Sequence, residues 1–266
     1  MKLTIIGGGN MGGAIARGLV QGSLLNAKDI TVIDLLDAPL KSLSEFNSDI
    51  QLNLNNYDSV KDADIIILAV KPWLIKEVIF DIKFMLNYSK QIIVSIAAGI
   101  SIDEINSAFS NHNSENLPPV FRVVPNTAIA VKQSITLVAS SKNADSKQEE
   151  LILNIFNELG SAIVLEEDKI PAGTALTSCG IAFFFRYVRA AMLAGTELGF
   201  SPQDSQNMIV KTMLGAACLM DENKINPEIE IDKVTTPGGI TIKGINELEA
   251  NGFSNAIIKA LKACKS

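Results

Sequence analysis

Three groups of residues have the types and spacing to do chemistry. The run Leu3–Ile6 leads directly into Gly7-Gly8-Gly9-Asn10-Met11-Gly12 and then a helical pattern. A G-x-G-x-x-G loop between a strand and a helix is what brings a pyrophosphate onto the backbone. Gly7 permits the tight turn, Gly9 lets the ligand approach, and Gly12 lets the helix pack closely. The helix start, including Asn10 and Met11, adds unpaired N–H groups and the positive end of a dipole. A purely structural glycine turn is the competing reading. The second group is Asp34, at the end of the next apolar run and about 20 residues past the glycines, where a carboxylate holds the adenosine ribose of a dinucleotide. Leu35-Leu36-Asp37 add no Arg or Lys for a 2′-phosphate, which leans toward NADH; capping the following helix is the alternative. The third group is Thr236-Pro237-Gly238-Gly239-Ile240-Thr241, which reads as a helix start whose bare N–H groups form a nest for a carboxylate. A Pro-initiated helix after a glycine turn is its bland counterpart.

What is missing excludes several classes. The one histidine, His112, stands in the polar stretch SNHNSENLPP at 110–119 and reads as a solvated loop residue, so a histidine general base is not expected. The three cysteines, Cys179, Cys218 and Cys264, are widely spaced, so neither a metal site nor a disulfide framework is expected. Free thiols fit a reducing, cytoplasmic setting. The net charge is -6 and no basic run exceeds two residues, which argues against nucleic acid and leaves an anionic substrate to local dipoles. No signal peptide is expected, because the apolar start Met1–Ile6 is short and runs into glycines. The uncharged stretch 170–185 is broken by Pro171, Gly173 and Gly180 and closed by Arg186, short of the roughly 20 apolar residues of a membrane span. So sparse a site suits a reaction that needs hydride delivery and positioning alone, such as reduction of an already protonated imine.

These residues require a frame. Leu3–Ile6, Ile30–Ile33, Ile65–Val70 and Ile92–Ile96 are continuously apolar, as buried parallel strands are. Helical patterns at Met11–Gln21, Ala38–Phe46 and Ile75–Met85 alternate with them, giving a doubly wound, mainly parallel Rossmann-type α/β sheet. Phe121–Val124, Ile135–Ala139 and Ala162–Leu165 extend the sheet, with a helix at Lys147–Leu159. Beyond about residue 168 the Val and Ile runs give way to Ala, Leu, Met and Phe at helical spacing. Helices are expected at Gly180–Leu198, Gln203–Met220, Ile242–Asn251 and Phe253–Ala263. The expected division is a dinucleotide-binding domain at 1–167 and an all-α domain at 168–266.

Taken together the motifs carry a resemblance. IIGGGNMGGAIARGL at 5–19, LAVKP at 68–72, SIAAGIS at 95–101 and RVVPNTAIA at 122–130 come first. LTSCGIAFFF at 176–185 and VTTPGGITIKGINELEANGF at 234–253 follow. In this order and over essentially the whole chain the sequence resembles pyrroline-5-carboxylate reductases. The resemblance implies an NAD(P)H-dependent enzyme that reduces 1-pyrroline-5-carboxylate to proline. It implies cofactor contacts at Asn56, Ala69, Val70, Lys71, Pro72, Ala97, Gly99 and Asn126. The substrate carboxylate falls to the backbone around Gly238, Gly239, Ile240 and Thr241 with the hydroxyls of Thr236 and Thr241, and the ring nitrogen to Thr174. The helical domain is implied to mediate dimerisation, with dimers assembling into a ring.

Some positions depart from the family pattern. Val124 precedes Pro125 and Ala128 follows Thr127. Cys179-Gly180-Ile181-Ala182-Phe183 stands for Ser-Gly-Pro-Ala-Tyr, and Thr236 and Ile240 replace Ser and a smaller residue. None removes a backbone donor, but Ile240 bears on pocket shape. A related cyclic-imine reductase, or an NAD(H)-binding regulatory protein with a degenerate site, therefore remains an alternative.

Overall fold

The computed structural model describes residues 1–110 and 117–264, so His112 and most of its loop lie outside the described residues. The chain divides into two compact units, Met1–Ser178 and Cys179–Ser266.

The first unit is built on eight strands: β1 (Leu3–Ile6), β2 (Ile30–Asp34), β3 (Gln51–Leu54), β4 (Ile65–Leu68), β5 (Ile92–Ser95), β6 (Val120–Val124), β7 (Ser134–Ser140) and β8 (Gly160–Val164). They form one sheet in the order β3-β2-β1-β4-β5-β6-β7-β8. β7 runs antiparallel to β6, and the other neighbouring pairs are parallel. Helices α1 (Asn10–Val20), α2 (Asp37–Phe46), α3 (Ile75–Ile82), α4 (Ile102–Phe109), α5 (Ser146–Asn157) and α6 (Ile170–Thr174) complete it.

Successive side chains of a strand point to opposite faces, and β4 shows why continuous apolar runs were needed. Ile65 and Ile67 enter one core layer with Ile15, Leu19, Ile152 and Phe156 of α1 and α5. Ile66 and Leu68 enter the other, with Ile75, Val78, Ile79 and Ile105 of α3 and α4. Each such side chain contributes about 1.5–3 kcal/mol on burial.

The stretch 168–178, helical by composition, packs with the sheet unit. Ile170 is fully buried in its core and Gly173 lies against Leu137.

The expected strand Ile65–Val70 ends two residues early, because Ala69 and Val70 turn out to line a cleft. Strand β3 and helix α4 have no counterpart in the sequence reading. β3 is an edge strand, QLNL, that pairs only with β2 and has no buried residue, so it lacks an apolar signature. α4 did carry a signal. Ser101 and Glu104 form a reciprocal capping box, the S-x-x-E pattern that marks a helix start.

The second unit contains α7 (Gly180–Glu197), α8 (Pro202–Asn223), α9 (Pro227–Val234), α10 (Ile240–Ala250) and α11 (Phe253–Ala263). α9 was also missed, although Asn226 caps it and Pro227 opens it. α7 and α8 approach closely where Gly195 faces Ser205; a Cβ on Gly195 would sit 2.4 Å from the Ser205 hydroxyl oxygen. Among the described residues of this unit no hydrophobic side chain is buried, while Phe184, Phe185, Leu193, Leu214 and Ile258 are each more than half exposed. Five helices without a core cannot hold themselves together as an isolated body.

The helical run Glu167–Glu197 is long and apolar enough to cross a membrane by length and composition alone, more than was expected of 170–185. Only 6% of its most apolar window is buried in the single chain, which an interface between subunits accounts for equally.

Candidate functional site

Strand order reverses at the β1–β4 pair, and in open α/β sheets ligands bind beyond the carboxyl ends of the strands at such a point. A cleft of about 690 Å³ opens there. Its walls include Gly7, Gly9, Asn10, Met11, Asp34, Ala69, Val70, Lys71, Pro72 and Ala97, all anticipated from sequence.

The loop geometry explains each glycine. Gly7 has φ +106°, donates its N–H to the Ile33 carbonyl at 2.7 Å, and lies so close to Ala69 that a Cβ would be 2.5 Å from the Ala69 carbonyl oxygen. Gly12 is tighter still, because a Cβ there would be 1.9 Å from the Gly7 carbonyl oxygen. Gly9 differs: it is the N-cap of α1, and a Cβ on it would meet nothing within 4 Å. No side chain caps α1 and its first turn holds no acid, so its amides remain available to an anion. An open glycine beside uncapped amides fits a dinucleotide pyrophosphate.

Asp34 anchors the next wall. Its Oδ2 accepts the Gly8 N–H at 2.7 Å and its Oδ1 the Leu36 N–H at 2.9 Å, tying the two loops together. Leu36, not Asp34, is the N-cap of α2, and it makes no side-chain cap, so the helix-cap reading of Asp34 does not describe what is seen. Each carboxylate oxygen keeps a second lone pair for a ribose hydroxyl.

Tyr57, Glu77 and Asp81 also line the cleft and were not singled out from sequence. The Tyr57 hydroxyl is held above its ordinary range, first by burial and then by the carboxylates of Asp81, Glu77 and Asp34. Glu77 and Asp81 carried one signal, their i,i+4 spacing on a helix whose Ile75, Val78, Ile79 and Ile82 feed the core.

Four expected cofactor residues do not line the cleft: Gly12, packed against Gly7 and Ala69, and Asn56, Gly99 and Asn126. Asn56 is exposed and its Oδ1 accepts the Asp58 N–H at 2.7 Å, beside Tyr57, which does line it. Gly99 turns the chain after β5 with φ +77°. Asn126 is 7% exposed and its amide is engaged, Oδ1 accepting from the Ala128 N–H at 3.0 Å and Nδ2 donating to the Thr177 carbonyl at 3.2 Å.

Thr174 closes α6, and its hydroxyl donates to the Ile170 carbonyl at 2.8 Å. A π turn over Ala175–Cys179 follows, a helix irregularity common at functional sites. With its proton committed, the Thr174 oxygen can only accept.

In the second unit, Thr236–Gly239 form a turn closed by the Gly239 N–H on the Thr236 carbonyl at 2.9 Å. Pro237 and Gly238 occupy its corners, and Gly238 has φ +69°, which a type II turn demands of its third residue. Gly239 is then the N-cap of α10, with no side-chain cap and no acid in the first turn. The Gly239 amide is spent in the turn, so the free donors begin with Ile240 and Thr241. Ile240 is 86% exposed.

Cleft, glycine loop and switch point together define a dinucleotide-binding protein of Rossmann type. A family model described as pyrroline-5-carboxylate reductase dimerisation matches residues 167–266, and one described as coenzyme F420-dependent NADP oxidoreductase matches residues 2–99. Pyrroline-5-carboxylate reductase 2 of Dictyostelium discoideum is 34% identical over 98% of this chain and 89% of its own length. Pyrroline-5-carboxylate reductase 1 of the same organism is 38% identical over 97% of this chain, which spans only about half of that relative, 48%. Among solved structures, a pyrroline-5-carboxylate reductase from Coxiella burnetii superposes with TM-score 0.90 at 29% identity, covering 99% of this chain and 95% of that one. The Plasmodium falciparum pyrroline carboxylate reductase with NADP bound gives TM-score 0.85 at 26% identity, with 99% and 95% covered. The chain belongs to the pyrroline-5-carboxylate reductase family.

Proposed function

We propose that this chain reduces the C=N bond of 1-pyrroline-5-carboxylate to give L-proline, using NAD(P)H held in the β1–β4 cleft. The observation that carries this reading is the presence of an uncapped helix start in each unit, α1 for a pyrophosphate and α10 for a carboxylate, in a chain of this family. When bound, the reduced dinucleotide supplies a hydride. That hydride would add to the imine carbon while the C=N π pair passes to the nitrogen, which keeps its proton. The chain's own residues bind and orient. Orientation of this kind can supply about 7–11 kcal/mol of the barrier.

Thr174, as a hydrogen-bond acceptor, suits the N–H of a protonated imine. Loss of one bond to a charged group costs about 1.5–3 kcal/mol. Thr174→Ala is therefore expected to lower kcat about 10- to 100-fold with dinucleotide affinity unchanged. An unaltered kcat would remove Thr174 from the reaction.

Asp34 with Leu35 and Leu36 favours NADH. The deciding experiment follows nicotinamide absorbance with NADH and with NADPH, with and without 1-pyrroline-5-carboxylate. Substrate-dependent oxidation, faster with NADH and yielding proline, is expected. Turnover only with another cyclic imine would move the assignment to a neighbouring substrate, and dinucleotide binding without turnover would make the chain a sensor.

Assembly of dimers into a ring belongs to the same proposal, supported by the coreless second unit; a dimer mass by light scattering would end it. So does a cytoplasmic setting, which the free cysteines 179, 218 and 264 suit; a fluorescent fusion found in another compartment would refute it.

A further inference from the structure

We propose that Glu77 and Asp81 of α3, and not Asp34 alone, set the dinucleotide preference, by walling the cleft with negative charge that admits a ribose 2′-hydroxyl and refuses a 2′-phosphate. This rests on the reading that the cleft holds a nicotinamide dinucleotide.

Three carboxylates line the cleft, Asp34, Glu77 and Asp81, against one ammonium, Lys71. All three share the lining of this one cleft with Tyr57, whose hydroxyl is raised first by burial and then by these carboxylates. Asp34 is the least free of the three, since backbone amides hold both of its oxygens. Glu77 and Asp81 stand four residues apart on one face of α3, a like-charge arrangement that costs a helix a few tenths of a kcal/mol. Both are exposed, and the core-facing residues of the helix are Ile75, Val78, Ile79 and Ile82. Glu77, in the first turn, also favours the helix dipole, but Asp81, in the last turn, opposes it, and a neutral residue there would suit folding better. A 2′-phosphate would bring roughly two further negative charges to this wall. A ribose hydroxyl brings none. Repulsion across a cleft open to water acts over about a Debye length, near 10 Å at 0.1 M salt, so added salt weakens it.

The test compares the wild type, the double variant Glu77→Gln/Asp81→Asn, and Asp34→Asn. The measured quantity is kcat/KM for NADPH divided by kcat/KM for NADH, at low and at high KCl. Direct affinity is read from quenching of the sole tryptophan, Trp73, which lies between the cleft residues Pro72 and Leu74. The wild type is expected to favour NADH, with a ratio that climbs as salt is added. The double variant is expected to raise the ratio about tenfold at low salt and to flatten the salt dependence, an effect of the size that two surface-cleft charges exert. A merely structural role would move neither ratio nor salt slope. Should Asp34→Asn alone bring the ratio to parity while the α3 variant leaves it unchanged, the inference is overturned and the functional reading stands. A wild type that favours NADPH overturns it too. Failure of the wild type to bind either dinucleotide removes the reading and the inference together.

Discussion

Gly12→Ala is expected to lower kcat/KM for the dinucleotide at least about 100-fold and to destabilise the first unit by about 1–3 kcal/mol, the usual cost of forcing a methyl into a packed site. The added Cβ would lie 1.9 Å from the Gly7 carbonyl oxygen and 3.0 Å from the Ala69 Cβ. Neither neighbour is the free end of a flexible side chain. Gly7 is pinned by its N–H to Ile33 at 2.7 Å, and Ala69 by its N–H to Ile6 at 2.8 Å. The start of α1 must therefore swing away from the end of β1, taking its uncapped amides off the pyrophosphate position. Gly9→Ala is the informative contrast. Its Cβ would touch nothing in the free chain, so thermal stability should hold, but it would fill the space through which a ligand reaches the backbone. One variant loses stability and affinity, the other affinity alone. Thermal unfolding together with Trp73 quenching separates them, and a Gly12→Ala protein that melts and binds like the wild type would show that the loop is not the cofactor cradle.

The same contrast explains how much could be read without coordinates. Position 12 is legible because its constraint is local: a glycine five residues after another, between a strand and a helix, has few reasons to exist. The parallel strands were legible because both faces of each are buried, so Ile65, Ile66, Ile67 and Leu68 are all apolar. β3 was not, because an edge strand is specified by backbone pairing to β2 and leaves its side chains no common duty. Asn126 is a candidate through the family resemblance alone; the sequence does not say that its amide bonds Ala128 and Thr177, which leaves one N–H and one lone pair for a ligand. Glu77 and Asp81 were hidden for the opposite reason. Charged residues on the outer face of an amphipathic helix are ordinary, and nothing in the local sequence says that this face borders the cleft.

The α10 start yields a prediction in which stability and activity move in opposite directions. Gly239 is an N-cap without a capping side chain, and aspartate is among the residues that cap best. In Gly239→Asp the new carboxylate would accept from Thr241 or Ile242, the donors at the second and third positions of the helix. Those overlap the amides proposed for the substrate carboxylate. Gly239→Ala controls for size, since both variants place a Cβ 2.7 Å from the Thr236 hydroxyl oxygen, which can rotate, and 3.0 Å from the Thr236 carbonyl oxygen. The aspartate variant should be more stable than the alanine variant by about 0.5–2 kcal/mol, the worth of an N-cap. Its kcat/KM for the anionic imine should nevertheless fall about 10- to 100-fold, as expected when the Thr241 bond to a charged group is lost at about 1.5–3 kcal/mol. Repulsion between two carboxylates adds to the loss, and raising the salt should recover a part of it. Dinucleotide affinity, read at Trp73, should not change. An aspartate variant that gains stability but keeps the wild-type KM would mean that the substrate anion is held elsewhere, and the open helix start would then be a structural turn after all.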